Sequence, residues 1–88
     1  MPDRRPVRRI EELDVRELPN NEMLVYDRQQ RVTHHLASET ALIWERCDGN
    51  NNRSDLERIV GSEFNISEPT TTVDKAIERL DQLRLIQF

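Results

Sequence analysis

The sequence has a single cysteine, Cys47, so no disulfide bond can form within the chain. Its two glycines, Gly49 and Gly61, are too far apart for a glycine-rich phosphate-binding loop. No apolar run approaches the roughly 18 residues of a membrane span, and the start MPDRRPVRR lacks the apolar stretch of a signal peptide. These absences argue against secreted, membrane-spanning and P-loop proteins, and they predict a soluble, cytoplasmic protein.

Charge is unevenly distributed along this chain of 88 residues, whose net charge is −4. Four arginines lie near the start: Arg4, Arg5, Arg8 and Arg9. The remainder is acidic, which argues against nucleic-acid binding because that binding needs clustered Lys and Arg on the docking face. We expect a flexible basic tail over residues 1–13 and one domain over residues 14–88, since this length suits a single small core.

Three short segments, separated by turn signals, predict β-strands in the first half of the chain; around the first, Ile10 and Leu13 would also suit one helical turn. The segments are residues 14–18, 23–26 and 31–36. The last segment places Val32, His34 and Leu36 on one face of its strand. The polar connection at 27–30 has a length typical of hairpins, so the second and third strands are expected to pair.

Helical periodicity replaces this alternation in the second half of the chain. Three helices are predicted, and their expected N-caps are Ser38, Ser54 in a capping box with Glu57, and the run Thr70 to Thr72. Gly61 is expected to fray the second helix, since glycine is a poor helix former. The third helix is the clearest, with apolar residues at i, i+3, i+4, i+7 and i+10: Val73, Ala76, Ile77, Leu80 and Leu83.

Strands followed by helices, without alternation, predict the α+β class: a small three-stranded antiparallel sheet followed by a three-helix bundle. The end of the chain, with Leu85, Ile86 and Phe88, is expected to pack under the core or to add a short strand. Trp44 and Cys47, three residues apart on the first predicted helix, are expected in the core.

Three segments together resemble the PqqD family. They are Leu24-Val25-Tyr26-Asp27, His35-Leu36 and Ala41-Leu42-Ile43-Trp44-Glu45-Arg46-Cys47-Asp48-Gly49. The family pattern is an apolar strand, a second strand ending in Leu, and a helix close to A-L-I-W-E-x-C-D-G. The ending Leu80-Asp81-Gln82-Leu83-Arg84-Leu85-Ile86 is also similar, although Arg84 stands where members often have Gly. The resemblance covers residues 14–88.

This resemblance implies a winged-helix-like fold and a non-catalytic peptide-binding module without a cofactor. Such modules capture the leader of a ribosomally made precursor peptide and present it to a modifying enzyme, often a radical SAM enzyme. The leader adds as a strand to the edge of the third strand and inserts side chains between that strand and the third helix. The implied peptide-binding residues are Arg31, Val32, Thr33, His34, His35, Leu36, Asp74, Ile77, Glu78 and Asp81.

The residues at the implied site agree with this chemistry in two respects. The segment 31–36 has no proline to block strand addition, and Arg31 together with polar Thr33 and His35 would keep an exposed edge soluble. The third helix carries two polar stripes beside its apolar face, and the sequence leaves open which one lines the groove. The acidic stripe is Asp74, Glu78 and Asp81; the other is Lys75, Arg79 and Gln82.

Neither a metal site nor an enzyme is predicted. His34 and His35 are adjacent on a strand and point to opposite faces, so they cannot readily share an ion. Cys47 has no recognisable base to activate it as a nucleophile. A winged-helix DNA-binding protein and a structural subunit of a larger enzyme are the alternative functions, and the sequence leaves open whether the chain is a monomer or a dimer.

Overall fold

The computed structural model describes residues 5–88. Its strands are β1 (Val7–Arg8), β2 (Leu13–Glu17), β3 (Met23–Asp27), β4 (Val32–Leu36) and β5 (Ile86–Gln87). Its helices are α1 (Ser38–Glu45), α2 (Arg53–Phe64) and α3 (Pro69–Gln82), and a 3-10 turn spans Pro19–Asn21. In this described part of the chain, no helix has the length and apolar character needed to cross a membrane.

The central sheet is antiparallel and three-stranded, in the order β2-β3-β4. Its register places Val15 opposite Val25, and Val25 opposite His34. The predicted α+β class, with this sheet followed by three helices, is confirmed. The third strand begins at Val32 rather than at Arg31, because Arg31 adopts a left-handed φ of 57° at the end of the hairpin turn.

One apolar core lies between the sheet and the helices. Its largest members come from every helix, from two strands of the sheet and from the segment after α3: Val25, Leu36, Ile43, Trp44, Leu56, Val60, Val73, Ile77, Leu80 and Leu85. Trp44 and Cys47 are both buried, as predicted. The indole Nε1 of Trp44 donates a hydrogen bond of 2.8 Å to the carbonyl of Leu85, which ties α1 to the end of the chain.

Residues 5–13 do not form the expected flexible tail. Pro6 is buried, and β1 pairs with β5 so that Val7 lies opposite Gln87. β5, at the alternating apolar end of the chain, forms the backbone hydrogen bonds that hold β1 in place. The predicted boundary at residue 13 is therefore wrong for residues 5–13, and Arg4 lies outside the described residues.

The carboxylate of Asp27 is fully buried at the end of β3 and is bound from several sides. The guanidinium of Arg9 donates to both of its oxygens, at 2.9 and 3.1 Å. The backbone amides of Gln29 and Gln30 donate to Oδ1 at 3.0 and 3.1 Å, so the same carboxylate also closes the hairpin turn. Hydrogen bonding by Arg9 lowers the pKa of Asp27 to about 2, which outweighs the opposite effect of burial.

The helix starts differ from the predicted caps. The side chain of Asn52 accepts from the amide of Asp55 at 2.9 Å, and the Asp55 carboxylate accepts from the amide of Asn52 at 3.0 Å. This capping box precedes Ser54, so the predicted box of Ser54 with Glu57 is wrong. The structural N-caps of α1 and α3 are Ala37 and Glu68, which places the predicted caps, Ser38 and Thr70 to Thr72, inside the helices.

Gly61 does not end α2, which continues to Phe64. A Cβ atom at this position would lie 3.4 Å from Cγ of Pro69, the first residue of α3. This is an ordinary van der Waals distance, so the contact with α3 would also accept a small side chain, and tertiary packing carries the helix through the glycine. Asn65, with a left-handed φ of 53°, ends the helix instead.

α3 ends in a Schellman motif with arginine in the left-handed position. Arg84 has a φ of 60°, its amide donates to the carbonyl of Asp81 at 3.0 Å, and the amide of Leu85 donates to Leu80 at 2.9 Å. These are the two hydrogen bonds that define this helix end. Arg84 therefore adopts the left-handed conformation that glycine, frequent at this position in the PqqD family, would adopt without strain. A residue with a Cβ atom pays a conformational free energy there.

Acid should weaken the fold through Asp27. Its folded pKa of about 2 lies below the unfolded value of 3.8, so the stabilisation is complete above the unfolded pKa and is lost as pH falls through the folded one. The free energy of unfolding of the wild-type chain should lose roughly 2 kcal/mol between about pH 5 and pH 2, and the Asp27→Asn variant should lack this component. Chemical denaturation at several pH values measures it.

The matched control is Asp14→Asn, which removes the exposed carboxylate that pairs with Arg28 on the surface. This variant should retain the acid dependence of the wild type, since exposed ion pairs contribute little to stability. If Asp27→Asn shows the same acid dependence as the wild type, the buried ion pair does not have the proposed role.

The Arg84→Gly variant should be more stable than the wild type by about 0.5 to 1 kcal/mol. Glycine removes a left-handed strain of about 1–2 kcal/mol, partly offset by the greater freedom of glycine in the unfolded chain. Gln82→Gly, inside the last turn of the same helix, should instead destabilise by about 1 kcal/mol. Urea titration of both variants compares them, and an equal loss in both would contradict the assignment of strain.

Candidate peptide-binding site

The edge strand β4 carries five of the ten residues implied for peptide binding. Within residues 5–88, no strand pairs with its outer edge. Val32, Thr33 and His35 are exposed, His34 is half-buried and Leu36 is buried. Val32, His34 and Leu36 lie on the same face of the sheet as the core residues of β3, and His35 lies on the other face, as predicted.

The register determines which backbone groups of β4 are available. On β2 and β3, the amide of Leu18 donates to Glu22 at 2.9 Å and that of Arg28 donates to Glu12 at 2.9 Å. Because hydrogen-bonded and non-hydrogen-bonded pairs alternate in an antiparallel ladder, the even-numbered residues of β3 bond to β2 and the odd-numbered ones bond to β4. The free N–H and C=O groups of β4 therefore belong to Thr33 and His35.

Arg31 is the one member of the implied strand segment outside β4. It is exposed and lies in the hairpin turn, with the left-handed backbone described above. It precedes the ladder, so it can contribute to a ligand site only at the turn end of β4.

The acidic stripe of α3 lies away from β4. Asp74 and Glu78 line an open depression together with Ile77, Asp81, Arg53 and Phe88. Arg53, at the start of α2, forms an ion pair of 2.6 Å with Asp74. No residue of β4 lines this depression. The structure thus separates the ten implied residues into a strand group and a helix group, and Ile77 is itself a core residue.

The opposite side of α3 was not included among the implied residues. Thr72, Ala76, Arg79 and Leu83 follow one another at i, i+4, i+7 and i+11 and therefore form one stripe. Ala76 is buried, and Thr72 and Leu83 are half-buried, so this side is partly covered by the fold. The signal that could have found it is the presence of Arg79 in an otherwise small or apolar stripe beside the core.

His34 carries a polar atom that the fold leaves unsatisfied. Its Nε2 is buried and has no hydrogen-bond partner among the described residues. His35, its neighbour, contacts the carboxylate of Glu22 on the outer face of the sheet. A buried nitrogen without a partner costs free energy, so His34 is a position where the fold is less stable than it could be.

Cys47 is chemically inert in this arrangement. Its thiol is buried and donates to the carbonyl of Ile43 at 3.1 Å. Burial, with a smaller contribution from Asp48, raises the pKa of the Cys47 thiol to about 12, so the thiol stays protonated at neutral pH. Its position is that of a small core residue.

No protein-family model, curated protein or solved structure matches this chain.

Replacing His34 with leucine should stabilise the unliganded protein by about 1 kcal/mol, because it removes a buried nitrogen that has no partner. His35→Leu is the matched control on the adjacent residue, and it should give no gain, since it loses the contact with Glu22 and exposes an apolar side chain. Thermal and urea unfolding of both variants provide the comparison. A clear loss of stability in His34→Leu would show that the nitrogen is satisfied in solution.

Proposed function

We propose that this protein is a non-catalytic peptide-binding module that holds the leader of a ribosomally made precursor peptide and presents it to a modifying enzyme, often a radical SAM enzyme. The observation that carries the proposal is the free edge of β4, where the backbone groups of Thr33 and His35 have no strand partner within residues 5–88. An extended peptide that pairs with this edge satisfies those groups.

Strand addition gives affinity through the backbone and specificity through alternate side chains. The leader residues that point toward the helices would lie beside Val32 and the half-buried His34. We therefore expect small or apolar leader side chains on this face.

The charge preference of the site follows from the placement of α3. Its acidic stripe is engaged on the side of α2, through the pair between Arg53 and Asp74. We therefore assign the leader to the opposite stripe of α3, which contains Thr72, Arg79 and Leu83. Arg79 favours a leader with an acidic residue next to its apolar anchors, because opposite charges across an interface fix register and suppress wrong partners.

The free edge of β4 also carries features that limit aggregation when no ligand is bound. Its outer face carries Thr33 and His35, and the contact of His35 with Glu22 adds polarity close to the strand. Polar side chains on an unpaired edge reduce self-association of this kind. The edge can therefore stay unpaired in the unliganded protein and still bind a leader peptide.

The test is a titration of isotope-labelled protein with the leader of a precursor peptide encoded beside its gene, followed by NMR. The amides of Thr33 and His35 should show the largest shifts within β4, because they point outward, whereas those of Val32 and His34 bond internally to β3. No shifts in a folded sample would reject leader binding and leave the structural-subunit function.

Two variants sharpen this test. Thr33→Pro removes an outward N–H without breaking the bonds of β4 to β3, so leader affinity should fall at least tenfold, or about 1.4 kcal/mol. Val15→Pro makes the same change at the free edge of β2 and should leave leader affinity unchanged. Equal losses in the two variants would point to general destabilisation instead of a bound strand.

The charge preference has its own pair of variants. Arg79→Glu should weaken binding of an acidic leader, whereas Glu78→Arg, on the opposite side of α3, should leave it nearly unchanged. Dissociation constants from calorimetry at low and physiological salt measure both effects, and the loss in Arg79→Glu should shrink as salt screens the interaction. A loss in Glu78→Arg alone would place the leader against the acidic stripe.

A further inference from the structure

The sheet has a second free edge, on β2, which the proposed function does not use. Within residues 5–88, β2 pairs with β3 alone. Four of its five residues are exposed, and Val15, on the helix-facing side, is 48% exposed. Ile10, just before the strand, is 67% exposed. An exposed edge with apolar residues beside it is a place where another strand can pair.

The same alternation that defines the β4 edge defines this one. The even-numbered residues of β2 bond to β3, since the amide of Leu18 bonds to Glu22 and the carbonyl of Glu12 accepts from Arg28. The free backbone groups of β2 therefore belong to Leu13, Val15 and Glu17.

The charges on β2 are symmetric about Val15. Asp14 precedes it and Arg16 follows it, and both side chains point to the outer face of the sheet. Charged side chains usually protect an edge strand from pairing. Here the two charges are opposite in sign and equally distant from one residue, so an antiparallel second copy of the same strand would meet each charge with its opposite.

We propose that two copies of this chain associate through β2, paired antiparallel about Val15 on a two-fold axis. Val15 then forms a hydrogen-bonded pair with Val15 of the second copy, which uses the free N–H and C=O groups on both strands. Asp14 of each copy lies opposite Arg16 of the other in a non-hydrogen-bonded pair, where side chains are closest.

The charges also select this register over its neighbours. A two-fold axis at Asp14 would place the two Asp14 carboxylates directly opposite each other, and an axis at Arg16 would oppose the two guanidinium groups. A shift that pairs even-numbered with odd-numbered residues would bring the outer face against the helix-facing side and lose the free backbone groups. Pairing about Val15 avoids both faults.

The helix-facing side supports the same arrangement. A groove runs along β2 between the strand and the end of α1, with Ile10, Leu13, Val15, Met23 and Trp44 among its lining residues. In the proposed dimer, the exposed part of Val15 is covered by the same residue of the second copy. β4 offers no such pairing, since its outer face presents Thr33 and His35, which are not opposite in charge in the way that Asp14 and Arg16 are.

The result is one continuous sheet in which the two copies of β4 form the outer edges. The dimer does not depend on leader binding, because it uses the edge of β2 whereas the leader pairs with the edge of β4. If both hold, each dimer carries two leader sites that face away from each other.

Charge reversal on β2 tests the proposal in the full chain. The wild type should sediment as a dimer in an ultracentrifugation concentration series. Asp14→Arg and Arg16→Asp, each alone, place like charges opposite each other twice, so each should raise the dimer dissociation constant at least tenfold. An equimolar mixture of the two variants should restore dimers, as should the chain that carries both substitutions.

Controls separate the interface from changes in folding. Arg28→Gln removes the surface partner of Asp14 within one chain and should leave the dimer intact. Thr33→Pro should also leave it intact, whereas Val15→Pro should abolish it. A wild type that stays monomeric at the highest attainable concentration, or single charge variants that dimerise like the wild type, would overturn the proposal.

Cross-linking gives a second measurement that does not rely on variants weakening the dimer. Residues in a hydrogen-bonded antiparallel pair have Cα atoms about 5.5 Å apart, a distance that a disulfide spans. The Val15→Cys variant should cross-link to its copy with copper phenanthroline as oxidant, whereas Glu17→Cys should not, since Glu17 lies opposite Leu13 of the other copy. Preferential cross-linking of the Glu17→Cys variant would overturn the register.

Discussion

The buried ion pair between Arg9 and Asp27 holds together parts of the chain that are distant in sequence. Besides binding the carboxylate, the guanidinium of Arg9 donates to the carbonyl of Arg84 at 3.2 Å. One side chain thus links the segment before β2, the hairpin of β3 and β4, and the end of α3. Since a buried carboxylate without its partner is strongly unfavourable, the position of β4 depends on a residue from the start of the described chain.

This constraint connects stability to the proposed site. Asp27 closes the turn that leads into β4, because its Oδ1 accepts the amides of Gln29 and Gln30. The turn fixes where the strand starts, and the ladder with β3 then decides which of its amides point outward. The position of the free backbone groups of Thr33 and His35 therefore depends on packing at the turn of the hairpin.

The elements that depend on local sequence patterns could be predicted from the sequence. The contacts between segments distant in sequence could not. The hairpin and α3 followed from alternation and from the spacing of Val73 to Leu83, because both signals lie within a few residues. The pairing of β1 with β5 joins opposite ends of the described chain. Residues 5–9 contain no local pattern that predicts pairing with the end of the chain. Helical periodicity predicted two polar stripes on α3. Only the ion pair between Arg53 and Asp74 shows that the acidic stripe lies toward α2.

The pairing of β1 with β5 brings the two ends of the described chain side by side. A domain with adjacent ends can be joined to another protein at either end, or inserted within a surface loop, with little change in its own structure. Either attachment would emerge from the region of Val7 and Gln87, which belongs to the small two-stranded sheet rather than to the edges of the central one. The architecture therefore permits the module to act as a free protein or as part of a larger polypeptide.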